Sequence, residues 1–193
     1  MKKLLLSAAV AVFVLIGANA QENDQGVQFG VKAGYNLATI GGDFEDNKAV
    51  SGFNVGGFVV FSLLENLLLQ AEVALSKQGT RWEEGGFKDK YRLAYVNVPV
   101  FAKYRIVDKL YVEAGPQLSI LADAKYIDDD DTTDAKDNFE TIDIGAGVGV
   151  EYKITDHLGA NARYVFGLCN INENNDTFKI NNSVLQIGGS WTF

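Results

Sequence analysis

Apolar and polar side chains alternate along almost every patterned stretch of this chain, and the alternation runs to its final residue. In VLQIGGSWTF, Leu185, Ile187, Gly189, Trp191 and Phe193 take one set of positions, and Gln186, Gly188, Ser190 and Thr192 take the other. A two-residue period is the geometry of a strand with an apolar medium on one side and a polar one on the other. Each strand edge presents a row of backbone N–H and C=O groups, so this last segment needs a hydrogen-bonding partner on both sides.

The same period recurs upstream. VQFGVKAGYNLATI sets Val27, Phe29, Val31, Ala33, Tyr35 and Leu37 against Gln28, Gly30, Lys32, Gly34 and Asn36. GFNVGGFVVFSL sets Phe53, Val55, Val59, Phe61 and Leu63 against Gly52, Asn54, Gly56 and Ser62. LLLQAEVALSK sets Leu67, Leu69, Ala71, Val73 and Leu75 against Gln70, Glu72, Ala74 and Ser76. Further strands are predicted near 93–106, 110–121, 141–153, 158–168 and 182–193, eight in all. From Gln21 onward there is no helical stripe and no apolar run long enough for a helical span.

Connections alternate between short and long. Tight turns fall at Glu65-Asn66-Leu67, Asp108-Lys109-Leu110 and Asp156-His157-Leu158, and the 43- and 48-residue spacings between the three leucines mark repeated hairpins. The connections near 41–51, 79–92, 122–140 and 169–181 are longer, polar and rich in Asp, Asn and Gly. All the tight turns therefore lie at one end of the sheet.

The opening MKKLLLSAAVAVFVLIGANA has Lys2 and Lys3, an apolar run from Leu4 to Ile16, and Ala18-Asn19-Ala20 in the small-x-small pattern of a signal-peptidase site. Residues 1–20 read as a secretory leader cleaved before Gln21, leaving 21–193 as one domain. The apolar run falls short of the roughly 20 residues a spanning helix needs. Without Lys2 and Lys3, 15 basic residues stand against 25 acidic, a net charge of −10 that disfavours nucleic acid as a partner. Cys169 is the single cysteine, so no internal disulfide holds the fold.

Short turns at one end, long polar loops at the other, and an even number of strands of about 10 residues are what an outer-membrane barrel needs. A lipid core has no water for backbone amides, so a sheet crosses it only when closed. The predicted fold is an all-β, eight-stranded antiparallel up-and-down transmembrane β-barrel with tight periplasmic turns and long extracellular loops, sealed by pairing of the last strand with the first. Outward Phe29, Phe61, Tyr104, Tyr152, Trp191 and Phe193 should form a belt near the tight turns, and Tyr35, Phe53, Tyr164 and Phe166 a second near the long loops. The inverse arrangement, a soluble lipocalin-type barrel, would place more aromatic and aliphatic bulk inside than eight strands can hold.

The stretches LLLQAEVALSKQG, YVNVPVFAKYRI, LYVEAGPQLSILA and ARYVFGL, with the terminal WTF, resemble the PorT-like outer-membrane β-barrel (porin family) proteins, within the class of eight-stranded OmpA-like and OmpX-like barrels. The resemblance runs in order through essentially all of the chain after the leader. It implies an integral outer-membrane protein of a Gram-negative cell, exported through the periplasm; some relatives are associated with protein secretion or gliding. No family catalytic motif is present to carry over. Pro99 and Pro116 fall inside predicted strands, where proline cannot donate to the ladder, so a bulge or wide pair is expected near each.

By register, Lys32, Glu72, Lys103, Arg105, Glu113, Asp143, Glu151, Lys153 and Arg163 point into the lumen, five positive and four negative. Eight strands leave an interior that side chains fill, so these charges are expected to pair as a structural network, with Glu72, Lys103, Glu113 and Arg163 in it, rather than to line a selective pore. Asp128–Asp131 in YIDDDDTTDAKDNFE reads as a solvated loop, because the spaced Asp-x-Asp-x-Asp-Gly pattern of a Ca²⁺ loop is missing. His157 reads as a turn residue and Cys169 as a small apolar filler, neither with the neighbours that nucleophilic catalysis needs. No enzyme activity, cofactor or metal is expected. The expected partners are outer-membrane lipid, the barrel-assembly machinery through the C-terminal strand, and an extracellular or envelope protein. The expected role is structural, adhesive or partner-binding, with weak porin-like conduction or association with a secretion system as alternatives.

Overall fold

Aromatic and β-branched residues at every second position favour extended backbone, and among the described residues nine strands form. The computed structural model describes residues 26–42, 48–84, 87–128, 131–136, 140–168 and 180–193. The leader with its cleavage site, Asp129, Asp130 and Cys169 lie outside the described residues. The strands are β1 (Val27–Gly42), β2 (Lys48–Leu64), β3 (Leu67–Glu84), β4 (Phe87–Val107), β5 (Leu110–Asp128), β6 (Asp131–Asp134), β7 (Ile142–Lys153), β8 (Leu158–Gly167) and β9 (Ile180–Thr192). They pair antiparallel in the order β4-β3-β2-β1-β9-β8-β7-β5, and a β4–β5 ladder closes the ring of eight. The four-residue β6 doubles back on β5 in the connection to β7.

The seam runs from Gly30 opposite Thr192 to Gly42 opposite Ile180. Beyond it the Phe193 amide donates to the Phe29 carbonyl at 2.9 Å, and the Thr192 amide donates to the His157 carbonyl at 2.8 Å. The last strand is therefore bonded along both edges. Its inward set, including Asn182, Gln186, Ser190 and Thr192, is buried, whereas Ile187, Trp191 and Phe193 are exposed on the outer wall. In a soluble barrel the polar set would be the wet one. Tyr104, Tyr152, Trp191 and Phe193 stand out near the tight turns. Tyr35 faces Phe53 across the β1–β2 ladder near the long loops, and Tyr164 meets Phe166 edge-on with ring centroids 4.5 Å apart.

Three details differ from the sequence reading. Segments 79–92 and 122–140, expected as loops, are largely strand: the β3–β4 ladder continues to Glu84 opposite Phe87, and β5 extends to Asp128 before β6 returns. Beyond the bilayer a strand needs a ladder partner but not an apolar face, so its pattern there is polar and reads as loop. Second, no register shift occurs at either proline. The β3–β4 pairs Ala71–Val100 and Ala74–Asn97 keep one register across a gap that spans Pro99, and Pro99–Gln117 and Ala102–Ala114 of β4–β5 do the same across Pro116. At that second gap the backbones come so close that a Cβ at Gly115 would lie 2.0 Å from the Val100 carbonyl oxygen. Third, the shifts occur elsewhere. Ala94 pairs with Asp123 but Tyr95 with Leu121, leaving Ala122 as an extra residue. Leu121 and Ala124 are consequently both buried, in an apolar cluster with Leu93, Tyr95 and Ala135 at the loop end.

Glycine makes room for bulk inside the ring. Phe101 is fully buried, and a Cβ at Gly147 on β7 would meet its ring at 2.6 Å. Gly147→Val should destabilise the barrel by about 1–3 kcal/mol through overpacking. Combining it with Phe101→Leu should restore much of that loss, as read by urea unfolding of the protein refolded into lipid vesicles.

Candidate functional site

Inward-facing positions on β1, β3, β4, β5, β7 and β8 bring charges from across the ring to the lumen, because every second residue of each strand points there. Lys32, Glu72, Lys103, Glu113, Asp143, Glu151 and Arg163 are each 6% exposed or less. At the centre the Arg163 guanidinium spans two carboxylates. Its Nε donates to Glu113 Oε1 at 2.7 Å, while Nη2 and Nη1 donate to Glu72 Oε1 and Oε2 at 2.8 and 3.1 Å. The Lys32 ammonium donates to the same Glu72 at 3.0 and 3.2 Å. Phe101 lies against the guanidinium, with its ring centroid 3.9 Å from the Arg163 Cζ. A planar cation with a fork of donors suits this position, which asks for two-point recognition of a carboxylate and contact with an aromatic face.

A second pair lies toward the tight turns. Lys103 faces Glu113 across the β4–β5 ladder, yet its ammonium donates to Glu151 at 2.6 Å. It also donates to Gln70 Oε1 at 2.9 Å, and Gln70 Nε2 donates to Glu72 Oε1 at 2.7 Å. Gln70 therefore joins the two groups into one network of three cations and three carboxylates. Below it, a cavity of about 490 Å³ at the tight-turn end is lined by Phe58, Gln70, Lys103, Arg105, Glu151 and Lys153 among others. The ion pairs form the floor of this vestibule.

Three of the nine predicted lumen charges stand outside the network. Arg105 is only half-buried, where the lumen opens to water, and donates to Asn66 Oδ1 at 2.7 and 3.1 Å on the neighbouring turn. Lys153, also half-buried, donates to the Thr192 hydroxyl at 3.3 Å. Both lie within three residues of a tight turn, too far along their strands to reach the central carboxylates. Asp143 is buried but lies near the other end of the lumen, and no cation pairs with it among the described residues. His157 is tied to the seam. Its Nδ1 is 2.8 Å from the Thr192 carbonyl oxygen, and its ring stacks on Trp191 with centroids 5.6 Å apart.

Charge alone left a neutral layer unread. Toward the long loops, Asn36 donates to Ser76 at 2.8 Å and to the Lys77 carbonyl at 3.1 Å, and Gln78 donates to Ser76 at 3.0 Å. Asn54 donates to Asn36, and Asn182 to Gln78. The signal was present, since these residues occupy the same inward phase as the charges. Among the described residues no group of three His, Cys, Asp or Glu side chains converges as a metal-ligand set.

A closed antiparallel ring with polar, hydrogen-bonded side chains inside and aliphatic and aromatic ones outside defines a transmembrane β-barrel of the outer-membrane class. The chain belongs to the family described as "Outer membrane protein beta-barrel domain", whose profile matches residues 19–173, and it is an outer-membrane protein. Among solved structures it is similar in fold to the Neisserial surface protein A (NspA), with 16% identity, 88% of this chain and 100% of that chain covered, and a TM-score of 0.59. It is likewise similar to Ail, the attachment invasion locus protein of Yersinia pestis, with 15% identity, 87% and 99% covered, and a TM-score of 0.55. A search of curated proteins returns no match.

Removing one member of the central network strands its partners in a desolvated site. Glu72→Ala leaves both Lys32 and Arg163 short of a carboxylate and should cost about 3–5 kcal/mol. Loss of the thermal transition at lower temperature in detergent, followed by circular dichroism, is the expected readout; an unchanged midpoint would contradict the pairing.

Proposed function

We propose that this protein is a non-catalytic barrel that acts through its external surface, as an adhesive or partner-binding element of the outer membrane, and not as a channel. The observation that carries this reading is the network of Lys32, Glu72, Arg163, Glu113, Lys103 and Glu151, which fills the lumen with paired charges. Conduction would require breaking several charge-assisted hydrogen bonds at once. Contact then falls to the loop-end strand extensions and the connections between them. The segment 122–140 carries eight acidic residues against two basic, which favours a partner with a positively charged face and makes binding sensitive to salt. The name of one similar barrel, the attachment invasion locus protein, makes adhesion the first form of contact to test. The PorT-like resemblance keeps a secretion-associated partner in the same class of reading. Assembly through the C-terminal strand by the barrel-assembly machinery belongs to this proposal, as does export by a cleaved leader ending at Ala20.

Two measurements test it. In planar bilayers the refolded protein should give no unitary conductance, whereas the Glu72→Ala/Arg163→Ala variant should conduct if it folds. Reproducible steps from the unaltered protein would favour porin-like conduction instead. Cross-linking in intact outer membranes should capture a partner whose yield falls with rising salt and on replacing Asp128–Asp131 with serine.

A further inference from the structure

Asp143 is the odd charge of the lumen. The buried cations Lys32, Arg163 and Lys103 are taken up by Glu72, Glu113 and Glu151, which leaves Asp143 as a buried carboxylate without a salt-bridge partner among the described residues. It accepts a backbone hydrogen bond from Ile144, which orients the group but does not neutralise it. An uncompensated carboxylate is among the most costly groups to place away from water.

Its surroundings are rich in oxygen. Asn97, Ser119 and Asp143 share one rung, with Ser119 opposite Asn97 in the β4–β5 ladder and opposite Asp143 in the β5–β7 ladder. Tyr95, two residues along β4 on the same face, is close enough to Asp143 to interact with it electrostatically. All four side chains are 4% exposed or less. Asp143 Oδ1, Asn97 Oδ1 and the Tyr95 hydroxyl have no hydrogen-bond partner, whereas the Ser119 hydroxyl accepts from Gln117 at 3.1 Å. Three unpartnered buried oxygens thus come from inward positions of β4 and β7 on either side of Ser119 of β5, beside the apolar cluster of Leu93, Tyr95, Leu121, Ala124 and Ala135.

We propose that Asp143, Asn97 and Tyr95, with Ser119 between them, bind one small monovalent cation of the sodium class. The donor set is all oxygen, which selects a hard cation over zinc or copper. It carries a single negative charge, which a monovalent ion cancels; a calcium ion would leave the buried site with net positive charge and generally takes six to eight oxygens. A water molecule alone would satisfy the three oxygens and leave the carboxylate's charge uncompensated. Bound there, the ion completes charge balance in the lumen at the end away from the Arg163 network and ties β4, β5 and β7 together below the loop-end cluster.

The test uses the full barrel refolded into detergent in sodium, lithium, potassium, calcium or choline chloride, at equal ionic strength and alkaline pH. The unfolding midpoint of the unaltered protein should rise with the logarithm of sodium concentration, as expected when a ligand binds the folded state alone, and should stay flat in choline. Asp143→Asn, which keeps the shape and removes the charge, should abolish the sodium dependence, and Tyr95→Phe should shift it to higher sodium concentration. Broadening of the sodium NMR line by the unaltered protein, reduced in Tyr95→Phe, gives a direct reading should Asp143→Asn fail to fold. Equal midpoints in sodium and choline would overturn the proposal, as would a sodium dependence that survives in Asp143→Asn. A midpoint that ignores every cation but falls with rising pH only while Asp143 is present would assign the site to a proton, and stabilisation by calcium alone would assign it to a divalent ion; either result overturns the monovalent site.

Discussion

Every feature of this barrel follows from the need to satisfy backbone N–H and C=O groups where no water can reach them. A sheet meets that need only by closing, and closure here is completed by the β1–β9 ladder. The terminal strand has no slack: β8 bonds one edge, β1 the other, and the His157 turn clips its end through the Thr192 amide and carbonyl. Trp191 stacks on that same histidine while facing outward, so one residue serves both the seam and the interfacial belt.

Closure with eight strands has an inward consequence. The ring is narrow, so inward side chains must fill it, and the wall alternates small and large residues to do so. Gly147 on one side admits Phe101 from the other, and Phe101 in turn supports the Arg163 guanidinium between Glu72 and Glu113. Desolvated ion pairs of this kind add little net stability over apolar packing, but they tolerate no misplacement. A one-residue slip of any strand would turn its charged set toward lipid and its aliphatic set inward. A two-residue slip would keep each face's polarity and escape that penalty, but it would part Arg163 from Glu72 and Glu113 and Lys103 from Glu151, so the network adds a restraint on register that uniform hydrocarbon does not supply. With the interior committed to packing, the functional reading moves to the loops and the outer rim.

The strand count, the antiparallel order, the tight turns at 65–66, 108–109 and 154–157, and the inward or outward sense of nearly every side chain within the bilayer were legible from periodicity and turn chemistry. So was the set of inward charges. Periodicity failed beyond the bilayer, where β3, β4 and β5 extend as polar strands, and at Ala122, where one extra residue reverses the phase and buries Ala124. At the prolines the bulge half of the expectation fails, because the ladder skips two pairs near each and resumes in the same register.

Alternation by itself determined which side of the sheet each residue occupies, since a strand has only two faces and only one of them meets lipid. It could not determine partners across the lumen. Lys103 passes over Glu113, its neighbour on the ladder, to reach Glu151; Gln70 bridges two groups that charge alone kept apart; and Asp143 stands away from the network its sign would have placed it in. Those choices depend on how far each strand is staggered around the ring and on which glycines leave space opposite. Both are properties of the closed barrel, and neither exists in any strand taken singly.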